Sequence, residues 1–341
     1  MKSFKKLSLL KYLFIALVIT SCSDDDDNTA AMQSTKIYTS NNANGNITVF
    51  DFTDSQNVTS TTLVTTSTAA DGVYFDSSTS NLFQASRSNN NLEGYADISD
   101  VTGSLSISTD FVSTTDMQSP REVAVNGNFY VVADNADVDD NPDTPDGRLF
   151  VYQFNGSSLT LRNTIITDFK LWGITFIGND LYAVVDADDE LAMFSNFLNT
   201  TTNTTLSATK RVVIEGIVRT HGLTYDAATD TMIMTDIGSA ANTQDDGGFH
   251  IINNFMSVFP SVANNGTLAL SSQTRIAGSN TAMGNPVDVA YDGTTGIVYI
   301  AEAGNNGGRL LAFNNVSAGG NLTPFYNMDL AAASAVFLSK E

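Results

Sequence analysis

The stretch 333-ASAVFLSKE-341 decides the fold of this 341-residue chain, because it is a short apolar strand with no partner beside it in the sequence. A lone strand exposes unpaired backbone N–H and C=O groups and needs an edge to pair with. Near the other end of the chain, KIYTSNNANGNITVFDF (36–52) and STTLVTT (60–66) are typical of the second, third and fourth strands of a unit without a first strand. The sequence therefore predicts that the closing strand pairs with Lys36–Ser40.

The rest of the chain repeats a unit of four short strands separated by polar turns. One unit, for example, begins with REVAVN (121–126) and continues with NFYVVAD (128–134). Successive first strands start at residues 71, 121, 172, 221 and 287, so the intervals are 50, 51, 49 and 66 residues. A single four-stranded unit cannot bury both of its faces alone, so the units must pack on one another.

Five complete units and one unit assembled from the two ends predict an all-β, six-bladed β-propeller over residues 35–341. Its ring is closed by the C-terminal strand, which removes two exposed sheet edges at once. Splitting the long unit at 221–286 would give seven blades, and this alternative stays open here. A β-sandwich would explain neither the period nor the split repeat.

Three stretches resemble NHL-type repeats and blades of the gluconolactonase/senescence-marker-protein superfamily: SPREVAVNGNFYVVADN (119–135), LWGITFIGNDLYAVVDADDELAMF (171–194) and NPVDVAYDGTTGIVYIAEAGNNGGRLLAF (285–313). The resemblance covers roughly 36–341 and implies the propeller fold, without assigning chemistry by itself. In the gluconolactonase-like enzymes, Glu, Asn and Asp hold a channel metal. ADGVYFD (70–76) is similar to the blade that supplies Asp. THGLTYD (220–226) is similar to the blade that supplies Asn, with His221 in its place, and no matching Glu is evident.

The first residues, MKSFKKLSLLKYLFIALVITSC, are typical of an export signal: four Lys precede or border an apolar run from Tyr12 to Ile19 that is too short to span a bilayer. ITSC resembles the bacterial lipobox, which implies a signal peptide over 1–21 and acylation of Cys22. The following SDDDDN resembles the export signal of Bacteroidota surface lipoproteins. We expect an acidic linker over 22–34 and a lipid-anchored protein on the outer face of the outer membrane. An ordinary secretory signal with a free cysteine, and a plain tether, are the alternatives.

The charge restricts the partners. The formal net charge is −21, and removal of four Lys with residues 1–21 gives −21 − 4 = −25. Such a chain repels nucleic acid and anionic membranes, whereas polycations, calcium or neutral ligands are compatible with it. Cys22 is the only cysteine, so no intramolecular disulfide or zinc-type cysteine cluster is expected.

The starts of the first strands predict a site at the channel mouth. Asp71, Glu122, His221 and Asp288 are the candidate catalytic residues, and Arg121, Trp172 and His221 are the candidate ligand-binding residues. This mixture could coordinate a cation or hold a polar ligand. The alternative is an Arg–carboxylate network that only satisfies buried polar groups and plugs the channel.

The loop DNADVDDNPDTPDG (134–147) predicts a calcium site, since Asp137, Asp139, Asn141 and Asp143 alternate at the spacing that oxygen ligands require. It resembles thrombospondin type 3 loops, and it is not an EF-hand because Pro142 and Arg148 stand where Gly and Glu are needed. DADDE (186–190) lies in the equivalent loop of the next unit. A solvated acidic loop is the alternative.

Together these features predict a surface lipoprotein whose propeller is a binding or scaffold module, with a protein, glycan or small-molecule partner on the acidic face. A calcium-dependent lactonase or esterase that uses the channel mouth is the alternative. It requires the four candidate catalytic residues to converge on one point that solvent can reach.

Overall fold

The computed structural model describes residues 33–99 and 101–341, which form six antiparallel blades around a central channel. This confirms the predicted six-bladed β-propeller. The seven-blade alternative is wrong, because residues 223–277 contribute a single blade. The blades are numbered 1–6 in chain order, and blade 1 contains both the first described strand and the last strand. The predicted signal peptide and Cys22 lie outside the described residues.

Each blade is a meander of four strands. The first strands, which line the channel, are Ala333–Lys340, Ala70–Asp76, Pro120–Asn126, Leu171–Ile177, Leu223–Asp226 and Pro286–Asp292 in blades 1 to 6. The second strands are Thr35–Asn41, Asn81–Ser86, Phe129–Asp134, Asp180–Val185, Thr231–Asp236 and Ile297–Glu302. The third strands are Ile47–Asp51, Asn91–Tyr95, Gly147–Phe154, Glu190–Phe194, Gly248–Asn253 and Arg309–Phe313. The fourth strands are Thr59–Val64, Phe111–Val112, Leu159–Thr167, Lys210–Ile214, Thr274–Ala277 and Tyr326–Asp329.

The ring closes as the sequence predicts. Strand 333–340 pairs antiparallel with strand 35–41, and Tyr38 lies opposite Phe337. Beyond the last pair, Ser34 and Glu341 exchange two backbone hydrogen bonds of 2.8 and 2.9 Å. The closing strand therefore takes the innermost position of blade 1, where it faces the channel.

The core consists of six apolar clusters, one between each pair of neighbouring blades among the described residues. Alternate residues of a strand point to opposite faces, so one strand serves two clusters. In blade 3, Val131 packs towards blade 4, whereas Val132 packs towards blade 2. Aromatic residues take part in this packing, as in the stacked pair of Tyr38 and Phe75, whose ring centroids are 4.5 Å apart.

Long segments between third and fourth strands bind neighbouring blades together at the rim, a feature that the sequence did not predict. Three of them add a short parallel strand to the preceding blade: Leu105–Ser106, Thr204–Thr205 and Gly266–Leu268. Gly320 forms a similar single bridge with Ile276. The described helices are short: an α-helix at Phe255–Ser261 and 3-10 turns at Phe197–Asn199, Leu270–Ser272, Asn305–Gly307 and Val316–Ala318. No helix within 33–99 and 101–341 combines the length and apolar character that crossing a membrane requires.

Candidate functional site: a stacked cluster, a channel and an acidic loop

The upper face is the face at which the first strands begin and at which the loops between second and third strands lie. There, Arg121 and His221 both stack against Trp172, and the three residues are here called the stacked cluster. The Arg121 guanidinium lies 3.8 Å from the centre of the Trp172 ring. On the other side, the His221 ring lies 3.9 Å from Trp172 at an angle of 6°. The three residues come from blades 3, 4 and 5, so the stack ties neighbouring first strands together.

Carboxylates hold both ends of the stacked cluster. Arg121 donates to Asp71 Oδ2 at 2.8 Å, and Arg87 Nε lies 3.7 Å from the same oxygen. At the other end, Asp186 Oδ1 lies 3.2 Å from His221 Nε2 and accepts a 2.7 Å hydrogen bond from Arg219. The predicted network of arginine and buried carboxylate is thus present, with Asp71 rather than Glu122 as the partner of Arg121.

Burial sets the charge of the stacked cluster. His221 is 4% exposed. Burial lowers the pKa of the imidazole, and the positive charges of Arg219 and Arg121 lower it further against the opposing effect of Asp186. Burial also acts to raise the pKa of Asp186, but contacts with His221, Asn135 and Arg219 outweigh it and hold that pKa below its ordinary value. His221 is therefore neutral near pH 7, and Asp186 is ionised.

The channel lies below the stacked cluster and has a volume of about 390 Å³. Residues of all six first strands line it. Glu122 and Asp288 belong to opposite blades, 3 and 6, and stand near the starts of their strands. Glycines stand at the equivalent position of other blades, and they allow neighbouring first strands to approach each other closely at this end of the channel. A Cβ on Gly72 would lie 2.7 Å from Arg121 O, and one on Gly222 would lie 2.5 Å from Asp288 Cα.

The two channel carboxylates hold protons unusually strongly. Burial, followed by the charge of Asp288, raises the pKa of Glu122 well above its ordinary value. Burial raises the pKa of Asp288 to about 7, although backbone N–H groups of Val336 and Val289 act in the opposite direction. Neither carboxylate has a Lys, Arg or His nitrogen within 4.0 Å among the described residues.

Asp288→Asn is expected to stabilise the protein more at pH 8 than at pH 5. A carboxyl whose pKa rises on folding contributes stability at low pH, and this is lost as the pH approaches the raised pKa. The Asp288 pKa rises from 3.8 to about 7, so the loss falls in this interval. The stabilisation by the substitution should grow by on the order of 2 kcal/mol between pH 5 and pH 8, as measured by urea unfolding. Asp329→Asn, whose side chain is 85% exposed, is the control. Equal pH profiles for wild type and Asp288→Asn would contradict the prediction.

The structure divides the four candidate catalytic residues into two groups. His221 belongs to the stacked cluster, where it contacts Trp172 and Asp186, and Asp71 holds one end of the cluster through Arg121. Glu122 and Asp288 line the channel. Of the candidate ligand-binding residues, Arg121 and His221 are buried and Trp172 is half-buried, so Trp172 is the member most accessible to a ligand.

The acidic loop (134–147) brings together a different set of oxygens from the one that the spacing predicts. Asp137, Asp139 and Asp146 each have a carboxylate oxygen within 4.8 Å of the other two. Asn141 Oδ1 instead accepts the backbone N–H of Asp143 in a local turn. Asp146 joins because the loop folds back, and its Oδ1 accepts the N–H of Val138.

Asp137 is the buried member of this group. Its side chain is 7% exposed, and its Oδ1 accepts no hydrogen bond from the described residues. Its Oδ2 lies 3.7 Å from Lys170 Nζ. An oxygen that is buried without a donor is costly, so it favours a bound cation or water. The three carboxylates could therefore hold a calcium ion, which takes oxygen ligands and tolerates irregular geometry.

A cleft of about 360 Å³ lies between the acidic loop and the equivalent loop of blade 4. Asp137, Asp168, Asp186 and Asp188 supply negative charge, whereas Lys170 and Arg211 supply positive charge. Pro142, Pro145, Phe169 and Val185 add apolar surface. The cleft combines apolar walls with a few charged groups, as small-ligand and peptide sites do.

Three buried carboxylates that the sequence did not predict fix the segments that lead into blades 3, 5 and 6. Asp134, Asp236 and Glu302 each end a second strand and accept backbone N–H groups of the segment that leads into the same blade. Glu302 alone accepts N–H groups of Gly284, Asn285, Gly304 and Asn305. The repeated endings VVAD, IMTD and YIAE carried the signal. These residues are structural anchors rather than site residues.

The fold defines the class of protein: a six-bladed β-propeller whose ring is closed by the C-terminal strand. No protein-family model matches the chain, and no curated protein matches it. Among solved structures, a chain of a nidogen/laminin complex is similar, with a TM-score of 0.58 and 12% identity over 89% of this chain and 98% of that one. A crystal structure of a candidate 6-phosphogluconolactonase from Bacteroides fragilis NCTC 9343 is also similar, with a TM-score of 0.57 and 11% identity over 92% of this chain and 100% of that one. At such identities the likeness shows the fold alone, and the NHL-type resemblance stays a prediction.

Proposed function

We propose that this protein is a surface-exposed binding module, anchored in the outer membrane through lipid on Cys22, whose partner binds the cleft on the upper face. The cleft carries the proposal. It lies beside the acidic loop and the equivalent loop of blade 4, and it offers a partner the exposed carboxylates of Asp168 and Asp188, two cations and apolar walls. Arg121 and His221 at the neighbouring channel mouth are buried and already contact carboxylates of the protein, so the cleft is more accessible to a partner than the mouth.

The charge favours a partner with basic groups. Removal of residues 1–21 leaves a charge of −25, and the cleft contains more carboxylates than cations. Such a surface attracts cationic segments at long range and repels nucleic acid. Because the cleft also has apolar walls, a partner that carries apolar side chains next to its basic groups should bind more tightly than one that carries basic groups alone.

A lysine-rich peptide that contains aromatic residues tests this surface. Fluorescence anisotropy should show binding that weakens with salt and that decreases in Asp168→Asn/Asp188→Asn, because both carboxylates line the cleft. Asp54→Asn removes one exposed charge elsewhere and should bind like wild type. Equal binding by all three proteins would show that the acidity acts only as a general field and that the cleft is not the site.

Lipid anchoring has its own test. In cells that express wild type, the protein should incorporate a clickable fatty acid, whereas Cys22→Ser should remain unlabelled. Protease added to intact cells should digest the wild-type protein. A labelled Cys22→Ser, or a wild type protected from protease in intact cells, would refute the proposed anchor or its surface exposure respectively.

We further propose that calcium binds Asp137, Asp139 and Asp146 and stabilises the cleft wall. At a hundred times its dissociation constant, calcium should stabilise the protein by about 2.7 kcal/mol, seen as a higher melting temperature after chelation and titration. Asp137→Asn/Asp139→Asn and Asp146→Asn should lose this response. Asn141→Ala/Asp143→Asn should keep it, since these residues lie outside the group. A response lost in both the Asp137/Asp139 and the Asn141/Asp143 variants but kept in Asp146→Asn would restore the set expected from spacing, and no response in wild type would leave the loop without calcium.

A calcium-dependent lactonase or esterase is the second candidate. Its supporting observation is the pair of carboxylates, Glu122 and Asp288, in the channel with raised pKa values. The division of the four candidates between stack and channel weighs against it. Calcium-dependent turnover of a lactone or ester, lost in Glu122→Gln and Asp288→Asn, would establish it; inactivity across such substrates would exclude it.

A further inference from the structure

A polar cluster lies between blades 1 and 2, near the upper face. Strand pairing in blade 2 places Gln84 opposite Glu93 and Ser86 opposite Asn91. All four side chains lie on the face that packs against blade 1, because they alternate along their strands with residues that pack towards blade 3. None of the four residues is more than 5% exposed, and they are here called the inter-blade polar cluster. The interface between the two blades thus encloses a carboxylate, two amides and a hydroxyl.

Glu93 is the buried carboxylate whose charge is compensated least. In the described part of the chain, the other buried acidic residues are Asp71, Asp134, Asp236, Asp288, Asp292 and Glu302. Each of these has a Lys or Arg nitrogen within 4.0 Å or accepts a backbone N–H group. Glu93 has neither, and its recorded donors are the Asn89 side-chain amide at 2.7 Å and the Tyr95 hydroxyl at 2.8 Å. Both donors are neutral, so this carboxylate lacks a positive partner.

Neighbouring groups do not supply the missing charge. Arg87 follows Ser86 in the chain, but it donates to Asn42 Oδ1 at 3.2 Å and lies 3.7 Å from Asp71 Oδ2. Burial, followed by the charge of Glu93, raises the pKa of the Tyr95 phenol, which therefore keeps the proton that it donates. A buried carboxylate without a positive partner is costly, and a bound cation would remove that cost.

Two amide oxygens of the inter-blade polar cluster also need a partner. Gln84 Oε1 and Asn91 Oδ1 are buried and accept no hydrogen bond from the described residues. The Gln84 amide is oriented by its Nε2, which donates to Gly45 O at 3.0 Å, so Oε1 is the atom that remains. Asn89 connects the two rows of the cluster, since its side chain donates to Glu93 and its backbone N–H donates to Ser86 Oγ at 3.2 Å. Oxygens that require a donor or a cation therefore stand at adjacent, paired positions of two strands.

The composition of the cluster indicates the kind of cation. Water could donate to the two amide oxygens, but it would leave the charge of Glu93 uncompensated. Carboxylate, amide and hydroxyl oxygens suit a hard cation, whereas zinc prefers nitrogen and sulfur ligands. One carboxylate balances one positive charge, and a divalent ion would leave an excess positive charge in a buried site. A hard ion of single charge fits best.

We propose that the inter-blade polar cluster binds an alkali cation, sodium or potassium, through Glu93, Gln84 Oε1 and Asn91 Oδ1. The loop over residues 87–90 covers this end of blade 2, and its exposed Ser88 and Asn89 place the entry at the upper face. The ion would join the second and third strands of blade 2 where they meet blade 1. This site is separate from the cleft between blades 3 and 4, so either proposal can fail without the other.

The full chain, freed of calcium by a chelator, is melted in sodium chloride, potassium chloride and choline chloride at one ionic strength. Screening of the net charge is the same in the three salts, so a difference between them reports binding. Sodium or potassium at ten times its dissociation constant should raise the melting temperature by on the order of 2 °C relative to choline. The rise should saturate as choline is replaced stepwise.

Two variants locate the effect. Glu93→Gln removes the charge at nearly constant volume, and Asn91→Ala removes one amide oxygen. Both should lose the difference between the salts. Asp97→Asn removes an exposed charge just after the same strand and should keep it. Each variant is compared with itself across the salts, so a lower melting temperature in all three does not obscure the result.

Three outcomes would overturn the proposal. Equal melting temperatures of wild type in the three salts would leave the cluster to water. A difference that persists in both Glu93→Gln and Asn91→Ala would place the cation elsewhere. Stabilisation by calcium alone, lost in Glu93→Gln, would show that the site takes a divalent ion instead.

Discussion

Removal of residues 333–341 is expected to leave a chain that does not form the cooperative native fold. The truncated chain loses the innermost strand of blade 1, and strand 35–41 loses its ladder partner. Ile37 and Tyr38, at 0% and 1% exposure, lose part of their cover. Two apolar clusters open at the same time, because Val336 packs towards blade 6 and Ala335 towards blade 2.

The expected loss is at least about 5 kcal/mol, the low end of the whole stability of a domain. Near-UV circular dichroism and thermal unfolding measure it, and the truncated chain should show no cooperative transition. The matched control places residues 333–341 ahead of Ser34 through an Asn-Gly turn, which joins adjacent antiparallel strands as a hairpin. Since Ser34 and Glu341 already exchange hydrogen bonds, this rearranged chain should regain the transition. A truncated chain that melts like wild type would contradict the closure argument.

Asp71→Ala is expected to destabilise the protein by about 3–5 kcal/mol, because it leaves a buried arginine without its carboxylate. The Arg121 side chain is 8% exposed, and its guanidinium is held between Asp71 and the Trp172 ring. Arg87, 3.7 Å from Asp71, loses the same partner. Among the described residues, neither Arg87 nor Arg121 has a carboxylate other than Asp71 within 4.0 Å, so the variant offers them no replacement partner. Denaturant unfolding at neutral pH measures the loss of stability.

A double-mutant cycle separates this charge effect from lost packing. Asp71→Ala/Arg121→Met removes both charges and keeps an apolar side chain against Trp172, so it should recover much of the stability lost by Asp71→Ala. Asp329→Ala is the surface control, since the Asp329 side chain is 85% exposed and its pair with Arg309 should contribute no more than about 1 kcal/mol. If Asp71→Ala costs no more than Asp329→Ala, the stacked cluster does not hold the upper mouth.

The stacked cluster also bears on function. A ligand at the channel mouth would have to displace contacts that Arg121 and His221 already make within the protein. A partner at the neighbouring cleft meets exposed groups instead, including Asp188 and the half-exposed Lys170. For this reason the cleft, rather than the mouth, is the better binding surface on the upper face.

The sequence by itself determined the architecture, because each blade is built from short apolar strands separated by polar turns, a pattern that is visible within a few residues. The first strands that recur at residues 71, 121, 172, 221 and 287, together with the incomplete units at both ends, were sufficient to predict six blades and the pairing of 333–341 with Lys36–Ser40. Each residue of Lys36–Ser40 pairs with a residue of the closing strand, from Lys36 opposite Ser339 to Ser40 opposite Ala335. The pattern repeats along the chain because every blade must bury apolar residues against both of its neighbours.

Only the tertiary structure decided which polar groups meet. Arg121 pairs with Asp71, fifty positions away, rather than with its neighbour Glu122, because adjacent side chains on a strand point in opposite directions. Asp146 joins Asp137 and Asp139 because the acidic loop reverses, whereas spacing alone favoured Asn141 and Asp143. Contacts between side chains of different blades depend on the twist and spacing of the blades, and these have no signature in the order of the residues.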